Sequence, residues 1–215
     1  MGELRIENLT FGMLANVSFT VGDSECVGIS GDSGAGKSLL LRAIADLDIH
    51  KGQVSYSNRD RKSYTGPEWR REIMLVPSET FWWKERVGEH LAADYKKEEI
   101  AEFCIQLGFE SDVLQWKADR LSTGEKQRLG LLRSISYQPK VLLLDEPTAH
   151  LDVDNTQRVE RVVETYRNTN SAPILWIAHD KEQLLRVAHR QFCIQKQNLI
   201  PSCPEIALPA SSHQA

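Results

Sequence analysis

The segment Gly31-Asp32-Ser33-Gly34-Ala35-Gly36-Lys37-Ser38 has residue types and spacing suited to one task, holding a row of phosphates. Its glycines let a chain curl until consecutive N–H groups point inward at anionic oxygens. A helix that starts where such a loop ends adds partial positive charge. Lys37 brings a full positive charge for the outer phosphates, the Ser38 hydroxyl can ligate Mg²⁺, and Leu39 completes the nucleotide-contacting segment. The pattern G-x-x-x-x-G-K-[ST] alone leaves kinases and GTPases open. The absence of a guanine-reading N-K-x-D argues against a GTPase.

A second group follows an apolar run. Val141–Leu144 ends in Asp145 and Glu146. A buried strand can carry Asp145 beside the phosphate loop to hold Mg²⁺. Glu146, pointing to the opposite side, could polarise an attacking water as general base. Phosphoryl transfer needs such positioning and charge neutralisation more than covalent chemistry. A third group is Ile174–Ala178 followed by His179 and Asp180, a strand with a polar tip. His179 could bond a terminal phosphate or hold the water. His50, His90, His150, His189 and His213 read as surface or packing residues.

These groups need a sheet to align them. Leu4–Leu9 and Val17–Val21 alternate apolar with polar residues, as half-buried strands do. Cys26–Ser30 is a short apolar run that stops at the glycine-rich loop, and Lys37–Leu47 then has helical spacing. Gly52–Ser57 and Glu72–Val76 read as strands, with Asn58–Gly66 a polar loop between them. From Glu85 to Lys117 the pattern is helical, and a further helix begins near Thr123. The continuous runs Val141–Leu144 and Ile174–Ala178 suit central strands covered on both faces, with Asn155–Tyr166 a helix between them. Strands alternating with helices predict an α/β fold with a mainly parallel sheet, antiparallel strands at the N-terminus and an inserted helical subdomain.

Length and composition agree with one domain. The chain has 215 residues, 41% hydrophobic and 26% charged, with a net charge of −4. The net charge gives no case for a nucleic-acid partner. No run of about 18 apolar residues exists to span a bilayer, and Met1–Asn8 lacks a signal-peptide core. The four cysteines form no C-x-x-C pair and read as reduced thiols. Residues 1–200 are expected to form one domain, with 201–215 a flexible tail.

Leu121-Ser122-Thr123-Gly124-Glu125-Lys126-Gln127-Arg128 resembles the LSGGQ signature of ABC ATPases, and lies ahead of Asp145 at the spacing that family shows. The resemblance covers about residues 3–195. It implies a P-loop NTPase core with a helical subdomain at about 85–137. It also implies that Ser122, Thr123, Gly124 and Glu125 bind an ATP held by the phosphate loop of a second subunit, so that two ATP-Mg²⁺ are sandwiched in a dimer. By the same resemblance Phe11 stacks on adenine, Leu151 and Asp152 contact the second ATPase subunit, and His179 is the switch histidine. Phe81, Trp82 and Trp83 then line the groove that receives a transmembrane permease subunit carried on a separate chain, the alternative being that they pack against the helical subdomain.

Three positions depart from the family pattern. Val76-Pro77-Ser78 stands where a glutamine normally reaches Mg²⁺ and the water; Ser78 is shorter and would need a water to span the same gap. Thr123 replaces a signature glycine and Glu125 the signature glutamine. The resulting expectation is the ATP-hydrolysing motor of a transporter, working from the cytoplasmic face of the membrane. The small stand-alone ATPases of two-gene export systems look similar. A soluble ATPase powering a cytosolic assembly machine, such as iron–sulfur cluster assembly, shares every catalytic residue and is the alternative.

Overall fold

The computed structural model describes residues 2–110 and 112–202. The chain begins with a hairpin, β1 (Leu4–Phe11) and β2 (Leu14–Val21), whose alternating residues turn one face inward. β3 (Cys26–Gly31) leads through the phosphate loop into α1 (Lys37–Ile44). β4 (Lys51–Tyr56) and the short β5 (Arg59–Asp60) follow. Then come α2 (Gly66–Glu72), β6 (Ile73–Val76), α3 (Lys97–Gln106) and α4 (Thr123–Ser136). The chain continues through β7 (Val141–Asp145), α5 (Val153–Asn170), β8 (Ile174–Ile177), α6 (Lys181–Val187), β9 (Arg190–Gln195) and β10 (Asn198–Pro201).

The strands form two sheets. One is antiparallel, in the order β2-β1-β4-β5; the other runs β10-β9-β3-β8-β7-β6 and is parallel except for β10. Strand alternation divides the core between the two faces of the larger sheet. Val141 and Leu143 of β7 join Leu175 and Ile177 of β8 on the face covered by α1 and the small sheet. Leu142, Leu144, Ile174 and Trp176 pack on the other face, against residues of α3, α4 and α5. All five residues of β7 are buried. Truncating a leucine such as Leu143 there costs about 2–5 kcal/mol, so Asp145 is carried on a rigid support.

The expected core strands are present, and the inserted region differs in detail. Among the described residues between Glu85 and Arg120 there is one α-helix, α3, with single 3₁₀ turns at Val87–His90, Val113–Gln115 and Ala118–Arg120. Gly108 ends α3, at φ 81° just beyond its C-cap, a conformation that glycine adopts without strain. The polar stretch expected as a loop contains β5, and α2 follows it. Thr65 and Glu68 form a reciprocal capping box at the start of α2. Of the stretch expected as a flexible tail, Pro201 closes β10, and Ser202 N–H donates to Gln191 O at 2.9 Å. Residues 203–215, including His213, lie outside the described residues.

Candidate functional site

The phosphate loop leaves β3 at the middle of the parallel sheet. Gly31 (φ 146°), Gly34 (φ 77°) and Gly36 (φ 102°) all have left-handed φ. A Cβ on Gly36 would lie 2.6 Å from Leu14 Cδ1, and one on Gly31 2.8 Å from Ile194 O. The loop is thus wedged between the β1–β2 hairpin and β9, where side chains would not fit. No side chain caps α1, so its first N–H groups are left for an anion. Asp32, Ser33 and Gly34 are exposed, Ala35 half-buried, Ser38 and Leu39 exposed. Lys37 is 5% exposed; its Nζ donates to Gly31 O at 2.8 Å and Asp32 O at 3.0 Å. An ammonium has three donors, so one remains free and the other two can be exchanged for phosphate oxygens.

Ser38 Oγ donates to Asp145 Oδ1 at 3.0 Å. Asp145 is 7% exposed, and its carboxyl is pushed above the usual carboxylate range. Burial is the main cause, opposed by the Ser38 hydrogen bond; the Glu146 charge raises it further and Lys37 opposes it. A buried carboxylate paired with a hydroxyl is a hard-oxygen donor set that suits Mg²⁺. Among the described residues no group of three or more His, Cys, Asp and Glu side chains could hold a metal. Two protein ligands fit Mg²⁺, which ordinarily completes its octahedron with waters and substrate phosphates.

β8 lies between β3 and β7, so the loop after β8 emerges between the phosphate loop and the end of β7. Asp145 is in register with Ile177. His179 Nε2 is consequently 2.9 Å from Glu146 Oε1. Glu146 has φ 50°, an uncommon conformation for a residue with a side chain. Its N–H donates to Ile177 O at 3.1 Å, and its carbonyl accepts from Ala149 N–H at 3.2 Å and Gln127 Nε2 at 2.8 Å. Backbone strain held by surrounding bonds in this way clusters at functional sites.

Ser122 caps α4 and forms a capping box with Glu125: Ser122 N–H and Oγ donate to Glu125 Oε2 at 2.8 and 2.9 Å. Thr123 is exposed in the first turn. A Cβ on Gly124 would lie 3.1 Å from Leu151 Cδ2, so the glycine makes room for Leu151. Asp152 caps α5, accepting from Asn155 N–H at 2.8 Å. Among the described residues no hydrogen bond or ion pair joins residues 122–125 to the phosphate loop. Ser78 lies just beyond β6, where Val76 is in register with Leu144. It is half-buried, and no hydrogen bond among the described residues joins it to Ser38 or Asp145.

Two expectations change. Phe11 is 4% exposed, inside the core between the sheets, and offers no face to a base. The exposed side chain at this hairpin is Met13, 68% exposed, next to Gly12, whose Cβ would lie 3.4 Å from Leu39 Cδ1. The three adjacent aromatics also divide. Phe81 and Trp83 are 74% and 70% exposed, whereas Trp82 packs against the core, with Arg133 5.0 Å from its ring centre. Buried His90 fixes this loop, its Nε2 accepting from the N–H groups of Trp83 and Lys84 at 3.0 and 2.9 Å.

Gln127 went unassigned in the sequence, although it falls on the buried stripe of α4 with Leu131 and Ser134. It is 4% exposed and accepts from His150 N–H at 3.4 Å, joining the signature helix to the loop after β7.

Residues 14–149 match the family model described as ABC transporter. The chain belongs to the ABC transporter family. It is 34% identical over 180 residues to the tungstate uptake system ATP-binding protein of Peptoclostridium acidaminophilum, covering 79% of this chain and 81% of that one. It is 28% identical to the probable iron export ATP-binding protein of Escherichia coli K12, covering 80% of each. The fold is similar to that in the structure of a bacterial Atm1-family ABC exporter with ATP bound. The TM-score is 0.79 at 21% identity, and the match covers 92% of this chain and 37% of the exporter chain. As an ABC transporter ATP-binding subunit, the chain is an ATPase with the fold expected for a P-loop NTPase. No helix among the described residues is long and apolar enough to cross a membrane.

Proposed function

We propose that this chain is the motor of a transporter: two copies close around two ATP-Mg²⁺, and hydrolysis reopens them. The observation that carries this reading is the separation of two helix starts within one chain, the uncapped start of α1 and the Ser122-capped start of α4. The start of α1 has uncapped N–H groups, while among the described residues the Ser122–Glu125 turn, exposed at Ser122 and Thr123, makes no hydrogen bond to the phosphate loop. Each half-site then completes the other in a pair of chains, and Leu151 and Asp152, beside the signature turn, lie at the contact between copies.

In hydrolysis Lys37 and the loop N–H groups neutralise the β- and γ-phosphates. Ser38 and Asp145, with Ser78 nearby, would hold Mg²⁺, which would supply positive charge against the phosphates. Glu146 accepts the proton of the attacking water, and His179 keeps that carboxylate and the terminal phosphate in line. Met13 lies against the base in place of Phe11. Residues 1–200 act as one ATPase domain, within which residues 85–137 form the helical subdomain.

The partner is a membrane permease on a separate chain, and the motor works as a peripheral subunit on the cytoplasmic face. Exposed Phe81 and Trp83 anchor it, as aromatic side chains do at interface centres. A tagged pull-down from native membranes with ATP and Mg²⁺, read by mass spectrometry, tests this. Recovery of a polytopic membrane protein is expected. Recovery of soluble scaffold proteins alone would replace the reading with a cytosolic assembly ATPase.

A further inference from the structure

The loop that carries Glu146 is held between two buried amides. Gln127 reaches it from α4; Gln183 reaches it from α6 and is 2% exposed. Gln183 Oε1 accepts from Thr148 Oγ1 at 3.0 Å, two residues beyond Glu146. Gln183 Nε2 donates to Glu160 Oε1 on α5 at 2.9 Å, and the same oxygen receives Arg186 Nη2 at 3.0 Å. α6 begins directly after its cap Asp180, the neighbour of His179. One side chain therefore joins three pieces: the helix following the His179 loop, the Glu146 loop and α5. An apolar residue could fill the same space. A buried amide is costly unless both ends are bonded, and here both are, which fixes direction as well as distance.

We propose that Gln183 is a positioning residue for ATP hydrolysis: it holds the Glu146 loop against the His179 loop and so maintains their 2.9 Å contact. Among the described residues no hydrogen bond joins Gln183 to the phosphate loop, so its effect falls on turnover and leaves nucleotide affinity intact. The inference rests on the proposed roles of Glu146 and His179 in hydrolysis and does not involve the membrane partner.

The test is steady-state phosphate release by the full chain, with Glu146→Gln run alongside as the floor. Gln183→Leu, similar in size but without polar ends, is expected to lower kcat about tenfold with KM changed less than about twofold. Gln183→Glu opposes two carboxylates and should lower kcat similarly. Adding Glu160→Gln reverses the donor and acceptor across the same gap. It should return kcat to within about threefold of Glu160→Gln alone. Wild-type kcat in Gln183→Leu would overturn the proposal. So would a loss in Gln183→Glu that Glu160→Gln does not relieve while circular dichroism shows both folded. If Gln183→Leu fails to fold, the Gln183→Glu and Glu160→Gln pair decides alone.

Discussion

His179 Nε2 and Glu146 Oε1 are 2.9 Å apart although they come from the ends of different strands. With the carboxylate as acceptor, the imidazole donates from Nε2, leaving the second carboxylate oxygen for a water. Glu146→Gln removes the base and should lower kcat by about 10²–10⁴-fold while ATP still binds. His179→Ala should give a smaller loss in the same phosphate-release assay. A fully active His179→Ala would remove the histidine from the mechanism.

Asp145 gives a prediction about stability. Its carboxyl has a raised pKa, so the folded chain binds that proton more tightly than the unfolded one. The associated stability is fully present at low pH and is lost as pH rises from the ordinary carboxylate range through the raised value. At neutral pH the nucleotide-free protein therefore carries an unfavourable buried charge. Asp145→Asn keeps an acceptor for Ser38 and should raise Tm at neutral pH, with the gain shrinking as the pH falls, and it should abolish Mg²⁺-dependent hydrolysis. Calorimetry at two pH values checks this; an unchanged or lower Tm at neutral pH would contradict it.

The hairpin beside the phosphate loop separates a packing residue from a ligand contact. Met13→Tyr places an aromatic face where the exposed thioether now stands. It should tighten ATP binding by about two- to tenfold, the range of aromatic stacking energies. Phe11→Ala, in contrast, should cost about 3–5 kcal/mol of stability as a core truncation. Nucleotide titration and chemical denaturation distinguish the two effects.

The aromatic loop separates in the same way. Phe81→Ala with Trp83→Ala removes two exposed rings, of which Trp83 also packs edge-on against His90 at 4.9 Å, and should cost no more than about 1 kcal/mol of stability and leave ATP hydrolysis unchanged, while the membrane partner is lost. Trp82→Ala removes a ring stacked on Arg133 and packed on the core, and should cost about 1–3 kcal/mol. Retained co-purification of the permease by the double variant would move the docking site elsewhere.

Much of this site was legible because its residues are local in sequence. The phosphate loop, the two acids after Val141–Leu144 and the signature turn each lie within a few positions, and strand alternation fixes where they emerge. Phe11 was misread because type and approximate position do not show which side of a hairpin turn a residue faces; its alternation with Leu9 was the available clue. The helix Gly66–Glu72 was missed despite the spacing of Thr65 and Glu68, because Gly66 and Pro67 also signal a turn. Gln183 and Glu160, 23 positions apart, come together only through the packing of α5 against α6, which no local pattern encodes.

The shared-site claim is tested most directly by light scattering of the Glu146→Gln chain with ATP and Mg²⁺. Trapped nucleotide should double the 24.4 kDa mass of the chain. The same chain without nucleotide, or with Ser122→Ala added, should remain at the single mass. A single mass with ATP bound and hydrolysis blocked would contradict the account, because each phosphate loop would then be complete without a second signature.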